Sequence, residues 1–149
     1  MISPYCVTVR LPATLEYRPL AIDLVSTFIA HVSAADAAFR NEMITAFGEA
    51  FNNVVAHGYP GRHDGMLAVE AEISACAMTL RLSDDGVQVD FASVPQPDLD
   101  SLPERGMGIF MIHTMVDEVT YVAGEPNVLS LTKRMPLHHA GPPGGPEAP

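Results

Sequence analysis

The sequence predicts an α+β domain in which one mixed, mostly antiparallel sheet is covered on one face by helices. Apolar residues recur at helical spacing in two long segments of the first half, and they alternate with a period of two in Tyr5 to Leu11 and Met66 to Ser74. The order is strand, helix, helix, two strands, helix, two strands, which clusters helices and pairs strands as hairpins.

Tyr5 to Leu11 alternates as Cys-Val-Thr-Val-Arg-Leu and reads as a strand that Pro12 ends. From about Pro19, Leu20, Leu24, Phe28 and Val32 repeat at helical spacing, and Ile22, Val25 and Ile29 widen the stripe into a largely buried helix. Ser33-Ala-Ala-Asp36 has the form of a capping box, with the acidic residue in its fourth position. The second helix runs from about Ala35 to His57 on Phe39, Met43, Ala46, Phe47, Ala50, Phe51 and Val54, and Gly58-Tyr-Pro60-Gly61 stops it.

Met66 to Ser74 and Met78 to Ser83 read as two strands joined by a tight turn, with Leu67, Val69, Ala71 and Ile73 on one face. Asp84-Asp85-Gly86 ends the second of them. Val87 to Arg105, rich in Pro and Asp, reads as a loop. Gly106-Met107-Gly108 opens a short apolar helix through Met115, and Val116 to Ala123 with Val128 to Lys133 forms a closing hairpin. The segment 137–149 has the composition of a disordered tail, which leaves residues 1–136 as a single domain.

Composition narrows the function classes. A formal net charge of -10 repels phosphate backbones and anionic lipid, so nucleic acid and membrane surfaces are not the expected partners. A bound nucleotide would need a local site of backbone amides, metal and a few cations. Cys6 and Cys76 lie far apart and match no metal-ligand spacing, as in a reducing compartment. The first residues lack a basic region followed by an apolar run, and no apolar stretch is long enough to cross a bilayer. A cytoplasmic protein is expected. The eight Met are expected to fill gaps in the core.

Three short segments carry chemistry. Glu49 and Asn53 stand four apart on the second helix, so a carboxylate and an amide share one face. Such a pair can hold a hard cation and polarise a hydroxyl, although a solvated helix face would also suit it. Ser83-Asp84-Asp85-Gly86 ends a strand, where a carboxylate can accept from an exocyclic amine and the Gly lets backbone approach a flat ring. An ordinary turn uses the same Asp-Gly pair. Arg105-Gly106-Met107-Gly108 precedes a helix, whose first amides and dipole favour phosphate, or it is a plain loop-to-helix joint. It is neither a dinucleotide fingerprint nor a P-loop. His57, His63 and His113 fall on different elements and have no ligand spacing. Asp117 and Glu118 read as solvated charges.

Taken in order, the three segments resemble the N, G1 and G2 boxes of the GHKL ATPases. The nearest likeness is to the bacterial anti-sigma-factor serine kinases. Glu49-Ala-Phe-Asn-Asn53-Val-Val-Ala-His57-Gly58-Tyr59, Asp84-Asp85-Gly86, and Arg105 through Val119 carry it, within a likeness running from about Val7 to Arg134. The resemblance implies a Bergerat-type α/β sandwich, a histidine-kinase-like ATPase domain with ATP between its helices and a lid. It implies that Asn53 ligates Mg²⁺ and that Glu49 is the general base for an attacking serine. Asp84 would accept from the adenine amine above Gly86, and Arg105, Gly106, Met107 and Gly108 would meet the phosphates.

The same likeness implies a serine protein kinase and anti-sigma factor acting by partner switching in transcription regulation. It would phosphorylate a STAS-domain anti-anti-sigma protein, sequester a sigma factor and form a homodimer. Two departures stand out. Gln88 replaces the usual second Gly of the G1 box, and the segment between Gly86 and Gly106 is short and Pro-rich. They leave open a non-catalytic regulatory module of the same fold with weak or no ATP binding, and an ATPase with another signalling output.

Overall fold

The computed structural model describes residues 4–32, 34–89 and 107–136. The Ser33 end of the expected capping box, the greater part of the expected loop before α3, and the tail from Leu137 lie outside them. Strand β1 (Tyr5–Pro12) leads through a 3-10 turn (Leu15–Tyr17) into α1 (Arg18–Ala30) and then α2 (Ala37–Gly58). The hairpin β2 (Met66–Ile73) and β3 (Ala77–Asp84) follows, then α3 (Met107–Met115), β4 (Glu118–Val122) and β5 (Asn127–Arg134).

The sheet order is β1-β2-β3-β5-β4. All four ladders are antiparallel, where the sequence led us to expect a mixed sheet. β3 and β4 run in the same direction, since each is antiparallel to β5, but β5 lies between them, so no parallel pairing arises. The helices cover the face that carries Leu67, Val69, Ala71, Ile73, Met78, Leu80, Leu82, Leu129 and Leu131, all buried. The other face is polar: Arg81 pairs with Glu70 and Glu72, and Thr79 bonds Thr132 at 2.9 Å.

Helix α2 is the spine of the core. Phe39, Met43, Phe47, Phe51 and Val54 are buried along it, and the rings of Phe47 and Phe51 pack tilted with centroids 6.2 Å apart. Each such side chain contributes roughly 1.5–3 kcal/mol by leaving water. Its N-cap is Asp36, whose Oδ1 accepts from Phe39 N at 2.8 Å. The acidic residue is thus the cap itself and not the fourth position of a box.

Helix α1 also differs from expectation. Its buried line is Ala21, Val25 and Ile29, while Leu20 is 46% exposed and Leu24 and Phe28 are partly buried. Apolar residues surround much of this helix, so spacing alone does not select the inward face. Tight packing selects it: at Gly48 of α2 an added Cβ would stand 2.5 Å from Arg18 Nη2 and 3.3 Å from Ile22 Cδ1. Among the methionines, Met43 and Met78 fill the core as expected, but Met66 and Met107 are exposed.

Candidate functional site

The fold brings three chain segments to one edge of the helical layer. Glu49 and Asn53 lie on the α2 face that receives the first turn of α3. A Cβ built on Gly108 would stand 2.8 Å from Glu49 Oε2 and 3.6 Å from Asn53 Nδ2. Only a glycine lets α3 begin this close to the carboxylate. Asn53 Nδ2 is buried without a hydrogen-bond partner, which marks its carboxamide as uncommitted to the fold. Met107, the first residue of α3, is exposed, and Arg105 and Gly106 lie outside the described residues.

Asp84 closes β3 and is 4% exposed. Its Oδ1 accepts from Gly86 N at 2.9 Å and from Asn127 Nδ2 at 3.2 Å. Burial holds its carboxyl above the ordinary aspartate range, against the lowering effect of those two donors, and neighbouring Asp85 adds to the rise. Gly86 sits against the end of α2: a Cβ there would be 2.3 Å from Gly58 O, and Val87 N donates to that same carbonyl at 2.7 Å. Gly86 therefore cannot carry a side chain without separating the strand end from the helix.

Tyr59, to which the sequence assigned no role of its own, joins the same corner. Its hydroxyl meets Asp85 Oδ1 at 2.5 Å and Met66 O at 3.2 Å, and accepts from Asp85 N at 3.0 Å. Burial first, and the bond to Asp85 second, push its phenol above the ordinary tyrosine range. Gln88 is exposed and lines a cleft of about 440 Å³ together with Asp85, Gly86, Gly124, Glu125, Pro126 and Asn127. Asn127 was also missed. It faces Asp84 through the β3–β5 register, and no motif in the sequence signals it. Asp117 is more than a solvated charge, since its Oδ2 accepts from Arg134 N at 2.6 Å.

A strand-end carboxylate backed by glycine, a carboxylate–amide pair on a helix, and a second helix starting on that pair make a constellation suited to a purine and its phosphates. Comparison with known families decides between a chance arrangement and a shared one: residues 11–133 match the model of the histidine kinase-like ATPase domain. The chain belongs to this family. An ATPase domain of this kind binds ATP.

Relatives of the ATPase domain agree. The serine-protein kinase RsbW of Listeria innocua is 29% identical over 135 residues, covering 85% of each chain. The anti-sigma F factor of Clostridium beijerinckii is 35% identical over 81 residues, which cover 52% of this chain and 57% of the relative. The solved structure of the RsbU and RsbW domains of Rv1364c from Mycobacterium tuberculosis superposes with a TM-score of 0.65 at 19% identity. That match covers 88% of this chain and 32% of the other, and it shows the shared fold. Among the described residues, no helix is long and apolar enough to cross a membrane.

Proposed function

We propose that this ATPase domain is a serine protein kinase and anti-sigma factor, which phosphorylates a STAS-type anti-anti-sigma protein and sequesters a sigma factor. One observation carries the catalytic part: the Glu49 carboxylate stands at the start of α3, within a methyl group's reach of Gly108 and one helical turn from Asn53. That is where a base must be if phosphate rests on the first amides of α3. The names of the relatives support the rest.

The residues present fit Mg²⁺. Asn53 offers an amide oxygen from a carboxamide whose nitrogen has no partner, and oxygen is the donor Mg²⁺ takes. Among the described residues no three of His, Cys, Asp and Glu converge, which suits an ion that fills its shell with phosphate oxygens and water. Bound there, it would neutralise phosphate charge. Asp84 accepts from the adenine amine, Gly86 admits the ring, and Met107 and Gly108, with Arg105 and Gly106, receive the phosphates. Glu49 takes the proton of the partner's serine as its oxygen bonds to the γ-phosphorus and the bond to ADP breaks. Residues 1–136 act as one domain, and the homodimer and the cytoplasmic location belong to the same proposal.

The test is transfer of labelled γ-phosphate to a purified STAS partner. Wild type transfers, and Glu49→Ala loses about 10²–10⁴-fold, the usual contribution of a general base. Unchanged transfer in Glu49→Ala removes Glu49 from that role. Equal capture of the partner with and without ATP, and no transfer at all, favours the non-catalytic module that Gln88 left open.

A further inference from the structure

Asn127 opens β5 and is 1% exposed, in direct register with Asp84. Its carboxamide is fully used. Nδ2 donates to Asp84 Oδ1 at 3.2 Å and to Gly86 O at 2.9 Å, and its own Oδ1 accepts from Gly124 N at 3.1 Å. An amide nitrogen carries two hydrogens, so both donations form together. The reverse orientation would set an oxygen against two acceptors, so the network fixes which end is which.

Given Asp84 as the acceptor for the base amine, as proposed above, we infer that Asn127 is the positioning residue of that contact. It holds Asp84 Oδ1 inward and so presents Oδ2 to the exocyclic amine of adenine. Both donors recorded on Asp84 converge on Oδ1. Oδ1 is also walled in, because a Cβ on Gly86 would stand 3.1 Å from it and one on Gly58 3.6 Å. Among the described residues no donor reaches Oδ2.

The carboxylate torsion of an aspartate is soft, with no deep staggered well. A single bond from Gly86 N leaves it free to swing about that contact, and a second donor from another strand fixes the plane. The two donors also favour the ionised carboxylate against the burial that opposes it, which keeps an acceptor available for an N–H. Through Gly124, Asn127 further ties the Asp84–Gly86 turn to the β4–β5 turn, so the acceptor is referenced to the sheet at two points.

The experiment compares ATP with inosine triphosphate, which carries a carbonyl oxygen where adenine carries the amine. Affinities are read by calorimetry with Mg²⁺ on the full chain, for wild type, Asn127→Ala and Asn127→Ser. Wild type is expected to prefer ATP by about tenfold or more, the scale of one hydrogen bond to a charged group. Asn127→Ala is expected to lose that preference, and Asn127→Ser, whose hydroxyl restores one donor, to recover part of it. A generally loosened fold would weaken both nucleotides alike and leave the ratio unchanged. An unchanged ratio in Asn127→Ala overturns the positioning role while leaving Asp84 in place. A wild type that binds both nucleotides equally, or neither, overturns Asp84 as the base acceptor and the role of Asn127 with it. If Asn127→Ala does not fold, the ratio in Asn127→Ser against wild type gives the same decision.

Discussion

The α-carbon of Gly108 faces the carboxylate of Glu49 so closely that one added methyl group would stand 2.8 Å from Oε2. Gly108→Ala must therefore turn the Glu49 side chain away or lift the start of α3. A displacement near 1 Å in a positioned group costs on the order of 10²-fold in rate. Phosphotransfer by Gly108→Ala is expected to fall by about that factor, while circular dichroism and the melting temperature stay close to wild type. Unchanged transfer would show that neither group needs its present place.

Asp84 is held above the ordinary aspartate range by burial. A carboxyl whose folded value lies above its unfolded one contributes stability at pH below the unfolded value, and that contribution is lost as pH rises through the folded value. Asp84→Asn removes the buried charge but keeps an oxygen for Gly86 N. It is expected to melt higher than wild type near neutral pH, by about 4 °C for each kcal/mol relieved. The two proteins should converge toward about pH 4. ATP affinity should fall over the same range in which stability rises. Lower stability of Asp84→Asn at neutral pH would mean that the charge is better accommodated than its surroundings imply.

Tyr59→Phe keeps the ring under Gly65, where an added Cβ would lie 2.2 Å from Cε1, and removes the hydroxyl shared with Asp85 and Met66. Asp85 is exposed and can turn to water, so the cost is about 1–2 kcal/mol by urea denaturation. A cost below experimental error would show that the ring alone holds this corner.

Asp36→Ala tests the helix start. Loss of the bond to Phe39 N is expected to destabilise the fold by about 1 kcal/mol, and Asp36→Ser to recover most of it. Equal stability of Asp36→Ala and wild type would move the cap elsewhere.

Much of the candidate site's layout was legible because these parts rest on local periodicity. Glu49 and Asn53 share a face through the helical repeat, and the places of Asp84 and Met107 at element ends follow from where apolar patterns stop. What spacing could not supply was register. Asn127 meets Asp84 only because β5 pairs with β3, across 43 residues of chain. Tyr59 reaches Asp85 across 26 residues because the end of α2 packs against the end of β3. The inward face of α1 was hidden for another reason: a helix apolar nearly all round carries no preferred direction until a neighbour such as Gly48 lets it approach. Asp36 was recognised as part of a cap, but its rank within the cap depends on where the first helical turn closes.

Among the described residues the sheet is covered on one side only, and its outer side carries Cys6, Thr8, Glu70 and Arg81 without an apolar layer above them. Cys6 is exposed and paired in register with Glu72. A dye on that thiol sits behind the sheet, across its thickness from the helical layer and the proposed nucleotide edge. The free face therefore gives a mounting surface for fluorescence or surface-plasmon work, from which the events at Glu49 and Asp84 can be followed without touching them.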